Sequence, residues 1–270
     1  MDPGRLTRHG GRVRGPAGVT ALVLAETVAG GLVFVFLTPL WNEVKRGFFT
    51  LTGSIVLVLA IAAWRSVAAG SVAGSGGGTW SQRLSAALVV VIFVWVVLLF
   101  VRRQNAARWV GFASVPLSLA VLVAMASTSE GSHVVALLQL LAGAAFLGAV
   151  MDGLLLGHWY LTDRGLSRAP INRTTLLLIV AVALEAAAVV AGGFGPTEAT
   201  ADFNPLLTSA GLASWIALGM VGTTALIAFL IRAALRGTRS SAVQAATGFF
   251  YLAVITALTA EFAAKVRFLP

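Results

Sequence analysis

Cysteine is absent from this chain, which at once removes disulfides, thiolate metal sites, Cys-ligated iron–sulfur clusters and covalently attached c-type haem. Charge is scarce as well: Asp, Glu, Lys and Arg make up 11% of the 270 residues, against 58% hydrophobic residues and a mean hydropathy of +0.92. A soluble domain cannot hide that much apolar surface in a core, so a lipid bilayer is the expected solvent and first partner. Lysine occurs only at Lys45 and Lys265, leaving arginine to supply nearly all the positive charge behind a formal net of +9. These arginines sit in short connections between apolar runs and not along one amphipathic face. That distribution argues against nucleic acid and marks them as topology signals and anionic-lipid contacts. Arginine in place of lysine, with abundant Ala, Gly and Val, fits a GC-rich bacterial genome and a bacterial cytoplasmic (inner) membrane.

What the chain does have is long apolar runs from end to end, leaving no room for a separate soluble domain. The expected fold is all-α: a basic, disordered tail over 1–16, then one transmembrane helical domain over 17–270. Eight spans are predicted, roughly over 17–39, 48–69, 84–101, 109–127, 134–158, 174–194, 207–231 and 241–262. Each is long enough to cross about 30 Å of hydrocarbon. Trp41, Trp64, Trp109 and Trp159 fall at span ends, where an indole keeps its ring in lipid and its N–H toward water.

Lys45, Arg46, Arg102, Arg103, Arg108, Arg164, Arg168, Arg173, Arg232, Arg236 and Arg239 all lie in the odd-numbered connections, which are therefore predicted to be cytoplasmic. The even connections hold Arg83 and the acids Glu130, Glu198 and Asp202, so they and both termini are predicted outside. Arg5, Arg8, Arg12 and Arg14 conflict with an outside N-terminus. Three readings reconcile them: the downstream bias prevails, translation starts further along, or the first segment stops short of crossing. The first two are favoured. A cleaved signal peptide is disfavoured because the apolar run from Ala17 to Leu40 exceeds the roughly 7–15 residues of a usual signal core.

GSVAGSGGGTWSQ (70–82) reads as a flexible Gly/Ser connection on the outer face, and without a following Lys-Ser/Thr it is no phosphate loop. Gly-Phe-Phe occurs at 47–49 and again at 248–250, an echo too short to establish a repeat.

An ionisable side chain inside a bilayer costs about 2.5–3.5 kcal/mol on insertion scales and so needs a partner or a purpose. Four acids meet that condition: Glu26, Asp152, Glu185 and Glu261. The predicted topology puts Glu26 and Glu261 in the outer half, Glu185 near the midplane and Asp152 in the inner half, a staggered proton path. The competing explanation is interhelical hydrogen bonding that only holds helices together. Glu261 has a local partner in Lys265, four residues on along the same helix face. Glu185 has no ionisable neighbour within a turn and lies among Ala183, Ala186, Ala187 and Ala188, a surface that admits close helix approach.

Residues 151–168 mix the most chemical types: Asp152, His158, Trp159, Tyr160, Asp163, Arg164 and Arg168. Gly153 and Gly157 form a G-x-x-x-G face on which another backbone can approach closely, and Tyr160 continues it. His158, Trp159 and Tyr160 are candidates for a quinone or lipid head-group site, against the plainer role of aromatic anchors. His133 and His158 bracket one helix about 37 Å apart, so bis-His haem is not expected. No metal site or hydrolase is proposed either, since there is no H-E-x-x-H and no second histidine nearby.

Glu26-Thr27-Val28-Ala29-Gly30-Gly31, with the spacing Glu261, Lys265, Phe268 in the last span, resembles the first and last helices of the membrane-anchor subunits of DMSO-reductase-type molybdenum oxidoreductases. The resemblance implies eight spans, outside termini, and exchange of electrons and protons with menaquinol on behalf of a catalytic partner. It departs at the end of span two, where those anchors place a quinol-binding histidine and this chain has Trp64 and Arg65. The expected function is a subunit, not itself catalytic, that handles quinone or protons for membrane or peripheral redox partners. A proton-coupled small-solute transporter cycling through Glu185, and an assembly scaffold, are the alternatives.

Overall fold

The computed structural model describes residues 15–70, 76–129, 132–163, 165–194, 211–237 and 241–266, with side chains described for all of these but 76–78. Arg5, Arg8, Arg12, Arg14, Glu130, Arg164, Glu198, Asp202, Arg239 and Phe268 lie outside the described residues. Among the described residues every regular element is a helix: α1 (Gly15–Leu37), α2 (Leu40–Glu43), α3 (Arg46–Gly70), α4 (Gly76–Phe100), α5 (Gln104–Ala126), α6 (His133–Thr162), α7 (Ala169–Gly192), α8 (Leu212–Leu235) and α9 (Ser241–Lys265). All but α2 are long and apolar enough to cross a membrane, eight in all. The chain is an all-α, polytopic membrane helix bundle, as predicted.

Most helices overrun the predicted spans at one end or both, because hydropathy registers only the apolar stretch whereas the backbone must stay hydrogen-bonded until it reaches water. Thus α5 starts at Gln104, and α6 runs on to Thr162; α1 and α7 instead stop two residues early, at Leu37 and Gly192. In α7, Pro170 sits in the first turn, where a missing N–H costs nothing. Two residues assigned to the tail, Gly15 and Pro16, belong to α1, whose 23 residues make a full crossing. The Gly/Ser connection is shorter than expected, since α4 already begins at Gly76.

Packing divides the bundle into two halves. Helix α1 packs on α3, α3 on α4, α4 on α5, and α5 back on α1; α6, α7, α8 and α9 close a second ring in the same order. The rings meet where α1 and α6 lie side by side and parallel. In these two helices 78% and 61% of the apolar window is buried, against 33–44% in the others, so they form the centre. Gly30 and Gly148 mark the crossing: a Cβ on either would fall into the backbone of the other helix. Without a hydrophobic force between helices in lipid, such close approach is what holds them. In this arrangement α3 corresponds to α7 and α5 to α9, so Gly-Phe-Phe in α3 and α9 occupies non-equivalent helices and is not a repeat.

The outward faces carry exposed Val58, Phe93, Val97, Val180, Leu184, Phe229 and Ile255, the apolar exterior a bilayer requires. One end of the bundle, called the basic end below, gathers the arginine-rich connections. There Arg173 makes a forked pair with Glu43 at 3.2 and 2.6 Å, Lys45 meets Asp163 at 2.9 Å, and Arg46 donates to the Leu99 carbonyl at 2.9 Å. Arg168 donates to the Gly237 carbonyl. These side chains tie helix ends together in addition to any part in topology. The opposite end is called distal.

Candidate functional site

Glu261 and Lys265 lie four residues apart on one face of α9, as the sequence requires, and Lys265 Nζ stands 3.0 Å from Glu261 Oε2. It stands 2.8 Å from Glu26 Oε1 on α1 as well, so one ammonium pairs acids from the first and last spans. Both carboxylates and the lysine are at most 1% exposed. Glu185 on α7 completes the group, its carboxyl in hydrogen-bonding reach of Glu261. The floor is Gly143 on α6, where an added Cβ would stand 2.7 Å from Glu26 Oε1 and 2.9 Å from Glu261 Oε2. Any side chain there would displace the carboxylates from these positions.

The staggered path predicted for the acids is therefore corrected. Glu26, Glu185 and Glu261 share one level, about 10–16 Å from the distal end measured along α1, α6 and α7. Sequence spacing cannot reveal this, because the three acids belong to three helices whose tilt and register are set by packing. Asp152 alone stands apart, about 14 Å further along α6 toward the basic end. It is buried and accepts a hydrogen bond from Thr174 Oγ1 at 3.1 Å.

Three carboxyls around one ammonium carry two more acids than the cation can neutralise. A carboxylate only accepts hydrogen bonds, so Glu185 and Glu261 can bond to each other only by sharing a proton. Glu26 Oε2, Glu185 Oε2 and Glu261 Oε1 are buried without a hydrogen-bond partner among the described residues. Such orphaned oxygens have room to take and release protons. A narrow cleft lined by Gln139, Glu185, Ser214 and Lys265 adjoins the group and has space for about one water molecule.

The second candidate site does not come together as predicted. His158, Trp159 and Tyr160 are consecutive on a helix and so point about 100° apart. Tyr160 turns inward and donates to the Ser167 carbonyl. Trp159 lies over Gly47 and beside Phe48, with its Nε1 buried and unpartnered, so it is no interfacial anchor with its N–H in water. His158 instead meets Tyr251 of α9, which the sequence reading missed. Because a carbonyl can only accept, the 3.0 Å contact of Nδ1 with the Leu154 carbonyl puts the ring proton on Nδ1, leaving Nε2 to accept from the Tyr251 hydroxyl. Tyr251 is 49% exposed, so the pair faces lipid. Tyr251→Phe is expected to cost no more than about 1 kcal/mol in thermal unfolding, since a partly exposed hydrogen bond is weak; a larger loss would mean the pair is structural.

Gly153 and Gly157 do share one close-packed face, but what approaches it is the side chains of Phe250 and Thr247 of α9 and not the backbone expected there. In comparisons with protein-family models, curated proteins and solved structures, nothing matches this chain.

Proposed function

We propose that this integral membrane protein is a proton-handling subunit of an electron-transfer complex, with the Glu26, Glu185, Glu261 and Lys265 group as its proton-exchange centre. The observation that carries this reading is the buried surplus of carboxyls around Lys265, a costly arrangement to keep in a membrane without use. The two segments that resemble redox-enzyme anchors lie at opposite ends of the chain, and their acids Glu26 and Glu261 meet on that lysine. For the quinol such a subunit serves, the fitting group is the half-exposed Tyr251 hydroxyl, which gives its proton to His158 Nε2 and keeps a lone pair to accept from a quinol hydroxyl. Trp159 and Tyr160 do not fit, being turned elsewhere. A quinone bound there would supply coupled electron and proton transfer; this chain's part is to hold the head group and move protons. The basic end faces the cytoplasm on this reading.

A proton-coupled transporter is the second reading, favoured by the two parallel four-helix halves with the charged group at their seam. Purification in mild detergent separates the two: a redox subunit retains quinone and at least one further protein. A colourless, quinone-free, solitary protein counts against electron transfer. In proteoliposomes holding a pH-sensitive dye, Glu185→Gln is expected to slow coupled proton uptake about a hundredfold, the scale of a lost proton-transfer group. An unchanged rate takes Glu185 out of the mechanism on either reading.

A further inference from the structure

We infer that protons reach the buried group from the distal end only, by way of the cleft inside the second four-helix ring, and that the route toward the basic end is closed. This rests on the proton-handling reading and adds its direction. The cleft draws its walls from α6, α7, α8 and α9, the four helices of that ring. Its polar lining comes from near their distal ends: Gln139 is in the second turn of α6, and Ser214 in the first turn of α8. Gln139 Nε2 donates to the Ala188 carbonyl at 3.2 Å and Ser214 Oγ to the Gly193 carbonyl at 3.1 Å, which hold both side chains in the cleft wall. At the inner end stands Glu185, 2% exposed, whose Oε2 has no hydrogen-bond donor among the described residues. A buried carboxyl oxygen without a donor, beside space for about one water, is where water completes the hydrogen bonding and relays a proton.

Beyond Glu185 the character of the ring changes. On the α6 and α7 walls, Phe146, Val150, Leu178 and Val182 are buried in one apolar cluster between the charged group and Asp152, and the polar pair at this depth on α8 and α9, Thr224 and Thr256, is engaged with itself at 2.7 Å and with carbonyls of its own helices. With about 14 Å of such packing, Asp152 cannot exchange protons with Glu185 by direct contact. The second ring is thus a half-channel: wet at its distal end and plugged toward the arginine-rich connections.

The absence of cysteine makes the test direct, because a single introduced thiol is the only one present. Single variants Ser214→Cys, Glu185→Cys and Leu178→Cys, with exposed Asn105→Cys marking the basic end, are reconstituted into sealed vesicles of one orientation. Each is exposed to silver ion, about as wide as a water molecule, from one side in chloride-free medium. Protection of the thiol from later alkylation is read by mass spectrometry. The expected result is protection of Ser214→Cys and Glu185→Cys from the distal side and not from the basic side, with Leu178→Cys unprotected from both. Protection of Glu185→Cys from the basic side, or from neither side, overturns the inference. If Glu185→Cys fails to fold, Ala188→Cys in the same cleft takes its place under the same criteria. Sided protection with undiminished proton uptake in Glu185→Gln would leave the half-channel standing and remove the proton-handling function. Lost uptake with protection from the basic side would do the reverse.

Discussion

Lys265→Met is expected to destabilise the protein by about 3–5 kcal/mol, the scale of breaking a buried ion pair from one side. The methionine fills similar space, so the loss is electrostatic: Glu26, Glu185 and Glu261 then face one another with no cation among them. Against a total stability of about 5–15 kcal/mol, this is enough to lower the midpoint of thermal unfolding in detergent severely or to prevent recovery of folded protein. The same reasoning predicts a rescue. Adding Glu26→Gln, Glu185→Gln and Glu261→Gln to Lys265→Met removes the stranded charges together, and replacing a whole buried network is close to neutral where breaking half of it is not. An unfolding midpoint that stays put in Lys265→Met, or a quadruple variant no better than the single one, would show that the lysine does not hold this group together.

Gly148→Val carries the other large effect. The new side chain would run into the backbone of α1 at Gly30, and backbone cannot rotate aside as a side chain can. Relief requires α1 and α6 to move apart along their length, so the cost exceeds the roughly 1–3 kcal/mol usual for overpacking a core. Loss of the single sharp peak in size-exclusion chromatography is the expected result. Gly248→Ala is the matched control, since a methyl group there meets open space. A Gly148→Val protein that elutes like the parent would mean the two halves are not joined at this crossing.

The number and order of the membrane-spanning helices were legible in the sequence because lipid imposes its own length and polarity on every crossing, whereas the one-turn α2 was not. The Glu261–Lys265 contact was legible too, being fixed by a helical turn. What could not be read is lateral: which helix stands beside which. Glu26 reaches Lys265 only because α1 lies beside both α6 and α9, and no periodicity within α1 carries that information. Gly143 sits unremarkably in an Ala- and Leu-rich stretch, and its role appears only when two carboxylates are seen against it. The misjudged trio at 158–160 had the opposite fault. Proximity along the chain was taken for proximity in space, although a helix sends neighbouring residues in different directions. The shared face of Gly153 and Gly157 was read correctly because a four-residue spacing is itself a statement about one face.

The pairing of Glu26 with Lys265 also sets an order of events at the ribosome. Synthesis delivers α1 to the membrane well before α9, so Glu26 cannot meet Lys265 while the seven intervening helices are still being made. The newborn α1 has either to keep its acid away from lipid by shallow or delayed insertion, or to be sheltered by the insertion machinery. Closure of the charged group then waits for α9, and a truncated chain ending before α9 leaves α1 without its lysine.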